Sequence, residues 1–244
     1  MAHIEHAISL GAKESNFLEP SEWVTRWAHL IQKCPTLIDQ DTTEILDLAC
    51  GTGRHMRWLS EQGYSVLGID IDEDSLNKSR AFGQVLQFDL EQNAIESFND
   101  SNVQNFGVQS KESFAPKMET SGSNSNPNLN SKSVPWPLEG QHFNGVIVTN
   151  YLWRPLWPHV LGSLGDNGVL IYETFSAGNE TVGRPRRPEF LLRTGELLEI
   201  CSNLRIIAFE EVFLEGPSRF VQRIVAVKAS KEVSKPWIYR ATSR

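Results

Sequence analysis

Residues 45–54 read ILDLACGTGR: an apolar run that breaks at once into small residues and glycines. ILDL has the length and composition of a short strand buried on both faces. The loss of bulk after Leu48 admits two explanations. One is a tight turn between strand and helix. The other is clearance for a small, charged ligand to approach the backbone closely. The rest of the chain must decide between them.

Outward from this stretch, strand and helix patterns alternate. Strands are predicted at Glu44–Ala49, Ser65–Asp70 and Val85–Asp89, and helices at Arg54–Gln62 and Glu73–Phe82, closed by Gly63 and Gly83. Such alternation implies parallel strands joined by right-handed crossovers, with helices on both faces. Upstream, SEWVTRWAHLIQK (about 21–33) places Trp23, Trp27, Leu30 and Ile31 at helical spacing behind Pro20 and Ser21, and is expected to cover one edge of the sheet.

From about 96 to 133 the pattern collapses into a Ser-, Asn-, Gln- and Lys-rich stretch that includes TSGSNSNPNLNSKS. It holds too little apolar material to offset the entropy of ordering, so a disordered insertion is expected there. Order resumes with WPLEG, a strand at Asn144–Thr149, a helix around Pro158–Leu164, a GDNG turn and a strand at Val169–Thr174. Thr194 is expected to cap the helix GELLEICSN. Two last strands, Leu204–Phe213 and Phe220–Ala229, are separated only by LEGPS and must pair antiparallel. The expected fold is α/β: one domain over 1–244, a Rossmann-like, doubly wound, seven-stranded, mostly parallel sheet ending in an antiparallel hairpin.

Composition narrows the function classes. The chain has 244 residues, 40 % hydrophobic and 22 % charged, with net charge −7 and a pI near 5.4. That balance argues against a broad basic surface for nucleic acid. No apolar run approaches the ~18 residues of a membrane span, and no basic-then-apolar leader opens the chain. Cys34, Cys50 and Cys201 are scattered without CxxC spacing, as expected for reduced thiols in a cytoplasmic protein. The six histidines show no ligand spacing, so no metal site is expected.

In open α/β sheets ligands bind beyond the carboxyl ends of the strands, and four predicted strand ends carry residues suited to one ligand. Gly51 and Gly53 open the backbone after the first strand. Asp70 ends the second and is placed to accept from two ribose hydroxyls. Asp89 ends the third and is suited to an exocyclic amine. Asn150 ends the fourth, followed by Tyr151 and Trp153. Asp72 and Asp74 read instead as helix caps. Each sign is weak alone; their order and spacing together are not.

The stretch Asp47-Leu48-Ala49-Cys50-Gly51-Thr52-Gly53 resembles the first motif of class I S-adenosylmethionine-dependent methyltransferases, an acidic residue followed by alternating small residues. The resemblance extends from Glu44 to Ala229 without the insertion. Residues 150–199, NYLWRPLW through GELLE, are similar to a bacterial group of small methyltransferase-domain or tellurite-resistance-type proteins. Ala49 departs from the family's usual first glycine and implies a slightly tighter fit. Family likeness implies S-adenosylmethionine as cofactor, bound by Asp47, Ala49, Gly51, Thr52 and Gly53, of which Gly51 and Gly53 line its methionine part. It further implies Asp70 at the ribose, Asp89 and Leu90 at the adenine, Asn150 beside the methionine and the transferred methyl, and Ile71 among the cofactor-binding residues. A nicotinamide dinucleotide fold fits less well, because the third glycine of GxGxxG falls on Met56.

In-line methyl transfer from a sulfonium needs positioning and desolvation more than acid catalysis. Tyr151, Arg154 and Glu173 are candidate catalytic residues facing the acceptor, with Glu173 a candidate base. His55 is expected to make a helix-end contact instead. Arg184, Arg186 and Arg187 in GRPRRP form a positive lip suited to an anionic acceptor. A small-molecule acceptor, an RNA or protein acceptor, and donor binding without transfer all remain compatible with these residues.

Overall fold

The computed structural model describes residues 19–33, 44–91 and 135–230. The expected insertion at about 96–133 and Cys34 lie outside the described residues. Seven strands form one sheet: β1 Ile45–Leu48, β2 Val66–Asp70, β3 Gln84–Gln87, β4 Phe143–Thr149, β5 Leu164–Phe175, β6 Arg205–Leu214 and β7 Arg219–Val227. Their order is β3-β2-β1-β4-β5-β7-β6. Pairing is parallel from β3 through β5, and β7 lies antiparallel between β5 and β6. The sheet is therefore the expected one, closed by its hairpin.

Period-two alternation divides two apolar cores between the faces. Leu46, Leu48, Val146, Val148, Leu170, Tyr172, Ile224 and Ala226 point to one. Ile45, Ile147, Val169, Ile171, Val225 and Val227 point to the other. Helices α1 (Glu22–Trp27), α2 (Arg54–Glu61) and α3 (Glu73–Ser79) cover the second face, through Trp23, Val24, Met56, Leu59 and Leu76. Helices α4 (Trp157–Gly162) and α5 (Glu196–Ile200) cover the first, through Trp157, Val160 and Leu197. Close packing of α2 on β2 depends on Gly68, where a Cβ would stand 2.4 Å from Met56 Sδ and 2.7 Å from Cys50 Sγ.

Three local expectations are corrected. Trp23, Trp27 and Ile31 pack across the middle of the sheet face with Ile45, Ile147 and Val225, not over an edge. Trp23 Nε1 donates to Ile224 O at 3.3 Å, so the pair of tryptophans follows the larger apolar area. GDNG is no simple turn: it lies within β5 as an irregularity, with Asn167 at φ 62° and its N–H on Lys228 O. Thr194 does not cap α5. Gly195 at φ 71° occupies that position, and the Glu196 carboxylate accepts from Arg193 N at 2.8 Å.

Candidate functional site

The glycine turn follows β1 in left-handed backbone: Ala49 φ 54°, Gly51 φ 54°, Gly53 φ 79°. Gly53 is needed twice over, since a Cβ there would also lie 2.9 Å from Ser79 Oγ. At Gly51 a Cβ would meet nothing within 4 Å, so only the dihedral and the clearance select glycine. Ser79 Oγ donates to Gly51 O at 2.8 Å and ties the turn to α3. Ala49 pays the left-handed strain that glycine avoids, on the order of 1–2 kcal/mol. Its departure from the motif thus acts on the backbone as well as on the fit.

Beyond this turn lies a cleft of about 350 Å³ walled by Ala49, Asp70, Ile71, Phe88, Asp89, Leu90, Glu91 and Tyr151. It stands at the carboxyl ends of β1, β2 and β3 and the exit of β4, where the strand order reverses, as open α/β sheets dictate. Asp70 Oδ2 accepts from Gly51 N at 2.8 Å and Oδ1 from Asp72 N at 2.9 Å. A carboxylate offers about four lone-pair sites, so Asp70 is aimed and retains capacity for two more donors. Asp89 Oδ1 accepts from Glu91 N at 2.9 Å. Ile71 is left 59 % exposed at the cleft, costly unless something apolar covers it. The cleft combines the carboxylates of Asp70, Asp89 and Glu91 with the apolar side chains of Ile71, Phe88 and Leu90, a lining suited to a purine nucleoside. Phe88 and Glu91 were missed in the sequence; the alternation of QFDLE around Asp89 was their one signal. Asp72 caps α3 as expected, accepting from Ser75 N at 3.0 Å.

The other expected site residues fall elsewhere. Thr52 is exposed on the turn, and Asn150, exposed at φ 56°, is not among the cleft walls. Trp153 packs against the core beneath α4. Asp47 is 1 % exposed, and its Oδ2 has no hydrogen-bond partner. Burial lifts its carboxyl to about 7 against the opposing pull of Arg54. His55, in the first turn of α2, is buried and makes the expected helix-end polar contact. Its Nε2 accepts from Ser21 N at 3.1 Å, which places the proton on Nδ1, 4.0 Å from Asp47 Oδ2. Burial and Arg54 lower its pKa to about 3, so it remains neutral.

Two candidate acceptor residues are engaged in the scaffold. Glu173 is 2 % exposed; it accepts from Ser21 Oγ at 3.1 Å and from Arg223 Nη1 at 3.3 Å. Arg154 grips Glu196 with Nε at 2.7 Å and Nη2 at 2.9 Å, and donates to the carbonyls of Glu189 and Leu191. It is a strut between the β4 exit and the loop before α5. Tyr151 alone of the three reaches the cleft. Its hydroxyl is buried without a partner, and burial together with Glu91, Asp89 and Asp70 raises its pKa. Arg184, Arg186 and Arg187 are exposed, and Arg187 pairs with Glu189. Cys50 and Cys201 are buried and unbridged. Among the described residues no cluster of three or more His, Cys, Asp or Glu could hold a metal, and no helix is long and apolar enough to cross a membrane.

Comparison with known proteins agrees with this geometry. Residues 45–113 match the family described as Methyltransferase domain. A probable thiopurine S-methyltransferase of Yarrowia lipolytica is 37 % identical over 70 residues, covering 23 % of this chain and 32 % of that protein. The match thus spans about a third of the relative's length. A TehB-like SAM-dependent methyltransferase from Corynebacterium glutamicum superposes with TM-score 0.50 at 17 % identity, over 93 % of this chain and 98 % of that one. TehB from Haemophilus influenzae gives 0.50 at 15 %, over 78 % and 58 %. The glycine turn, the strand-end carboxylates, the order β3-β2-β1-β4-β5-β7-β6 and these likenesses converge: the chain has the class I S-adenosylmethionine-dependent methyltransferase fold.

Proposed function

We propose that the chain is a single-domain methyltransferase that transfers the methyl of S-adenosylmethionine to a small-molecule acceptor. The observation that carries this reading is the pair of strand-end carboxylates, Asp70 and Asp89, facing one cleft above the glycine turn. Asp70 would hold the ribose hydroxyls, Asp89 and Leu90 the adenine edge, and Ile71 and Phe88 its faces. Gly51 and Gly53 let the methionine part approach the backbone, with Asn150 at the methyl side. When bound, the donor supplies an electrophilic methyl on a sulfonium. The protein's part is then orientation and exclusion of water, effects that reach an effective molarity on the order of 10⁵ M in well-aligned reactions.

Glu173 is committed to Arg223 and Ser21 and is not free to act as a base. The raised pKa of Tyr151 makes it a poor base at neutral pH. This favours an acceptor whose nucleophile has a free lone pair or is already ionised, such as an acidic thiol. The thiopurine-methylating relative supports a small acceptor in the same direction. The overall charge of −7 weighs against an RNA acceptor, and the unbridged Cys50 and Cys201 fit a reducing, cytoplasmic setting.

Calorimetric titration with S-adenosylmethionine and S-adenosylhomocysteine tests the proposal. Both should bind, and Asp70→Asn should weaken each by about 1.5–3 kcal/mol through loss of charge-assisted hydrogen bonds. Folded protein that binds neither compound would end this reading.

A further inference from the structure

A second cavity, of about 320 Å³, lies on the sheet face covered by α4. It opens between the 135–142 segment, which leads into β4, and the C-terminal turn of α4, which leads into β5. Its walls include Trp136, Leu138, Glu139, His142, His159 and Ser163. Trp136 separates it from the cleft above the glycine turn. The indole is 6 % exposed, packs edge-on against the cleft-lining Phe88 at 6.0 Å and stacks on His159 at 4.7 Å. The two cavities share no wall residue, so the proposed methyl transfer leaves this one without a role.

The polar groups of this cavity lack partners. Ser163 is 2 % exposed, and its Oγ is buried with no hydrogen-bond partner. A hydroxyl left in that state is costly, and a ligand that bonds to it removes the cost. Among the described residues the Glu139 carboxylate makes no ion pair, and no lysine or arginine belongs to the walls. Burial lowers the pKa of His159 against the opposing pull of Glu139, so its imidazole is neutral at neutral pH. An unpaired carboxylate, an unpartnered hydroxyl and an indole thus meet in one cavity. An anion would face the charge of Glu139. An ammonium finds a counter-charge, a hydrogen-bond acceptor and an aromatic wall.

We propose that this cavity is a second ligand site, specific for a small organic ammonium ion. Glu139 supplies the counter-charge, Ser163 Oγ accepts from an ammonium N–H, and Trp136 and Leu138 cover the apolar body. The site is independent of the methyl-donor reading and stands or falls by itself.

The test titrates the full-length protein, at neutral pH and low ionic strength, with benzylamine (an ammonium under these conditions), benzyl alcohol and benzoate. The series is repeated on Glu139→Gln, Ser163→Ala and Asp89→Asn. Benzylamine should bind about fivefold more tightly than benzyl alcohol, the scale of a partly screened charge pair, and benzoate should bind most weakly. Glu139→Gln should abolish that preference. Ser163→Ala should weaken benzylamine about threefold, as loss of one hydrogen bond does. Asp89→Asn, in the other cleft, should change neither value. Glu139 is exposed and the Ser163 hydroxyl is held by nothing, so both variants should melt as wild type does. Absence of benzylamine binding, equal binding of benzyl alcohol, or a preference that survives Glu139→Gln overturns the inference. A preference abolished by Asp89→Asn alone assigns the amine to the other cleft and overturns it likewise. Loss in Glu139→Gln with unchanged affinity in Ser163→Ala means ion pairing at the surface, outside the cavity, and also overturns it.

Discussion

Among the parallel strands of this sheet, the carboxylates at the end of β2 and just beyond β3 meet a different fate from the one near the end of β5. Asp70 on β2 and Asp89 just beyond β3 face an open cleft, each aimed by backbone N–H groups. Glu173 near the end of β5 is 2 % exposed and bound to Arg223 and Ser21. The difference follows from their neighbours. The ends of β2 and β3 meet a glycine turn and short loops, which leave room. The end of β5 lies beneath the entry to α1 and beside β7, which supplies Arg223 as a cross-strand partner. A strand-end acid is therefore a site or a strut according to what covers it.

The largest expected effect breaks the strut. Glu173→Gln removes a buried charge opposite Arg223, a class of change that costs about 3–5 kcal/mol. A value toward the lower end is expected, because Glu210 and Glu22 still hold Arg223. Urea denaturation reads the loss directly. A variant of wild-type stability that has lost only turnover would restore Glu173 as a base and erase the contrast.

A second test concerns Asp47, also at a strand end and buried. In the unfolded chain it ionises near 3.8, in the folded protein at about 7. The folded state therefore binds the extra proton, and stability falls as pH rises between these values. His55, lowered from 6.5 to about 3, acts oppositely: the unfolded state binds the extra proton, and stability is lost as pH falls below 6.5. Asp47→Asn removes only the first slope. Relative to wild type it should gain roughly 1–3 kcal/mol between pH 5 and pH 8, read from denaturation midpoints at the two pH values. A difference that does not grow with pH would mean that Asp47 is ionised and well solvated in the native protein.

The smallest effect sharpens the open side. Ala49→Gly should relieve left-handed strain of about 1–2 kcal/mol, less the ~0.4–1 kcal/mol by which glycine favours the unfolded chain. A net gain of about 0.5 kcal/mol is expected, with donor affinity maintained. Thermal melting and calorimetry check both parts. Destabilisation, the usual result of placing glycine in a chain, would show that Ala49 is not strained.

Much of the open side was legible in the sequence because it is written in local chemistry. A glycine turn needs positive dihedrals, an aspartate caps the helix that follows it, and both demands act within a few residues. Asp70, Ile71, Asp89 and Leu90 came from spacing and family likeness, and all four line the cleft. The closed side was misread because its roles depend on partners far along the chain. Arg154 meets Glu196 from 42 residues away, and Glu173 meets Ser21 from 152. Nothing near Arg154 or Glu173 in the sequence announces those bonds.

By itself, then, the sequence determined the layering of this protein and the place of its cleft. Periodicity sets which strand residues enter which core, short connections set which strands pair, and small residues after Leu48 mark where a ligand can come close. Only the tertiary structure decided which polar residues are available. It buries Glu173 beside Arg223 and Ser21, ties the partly exposed Arg154 to Glu196, and leaves Asp47 buried with an unpartnered oxygen. Burial and pairing are properties of surfaces in contact, and those surfaces exist only once the sheet has closed.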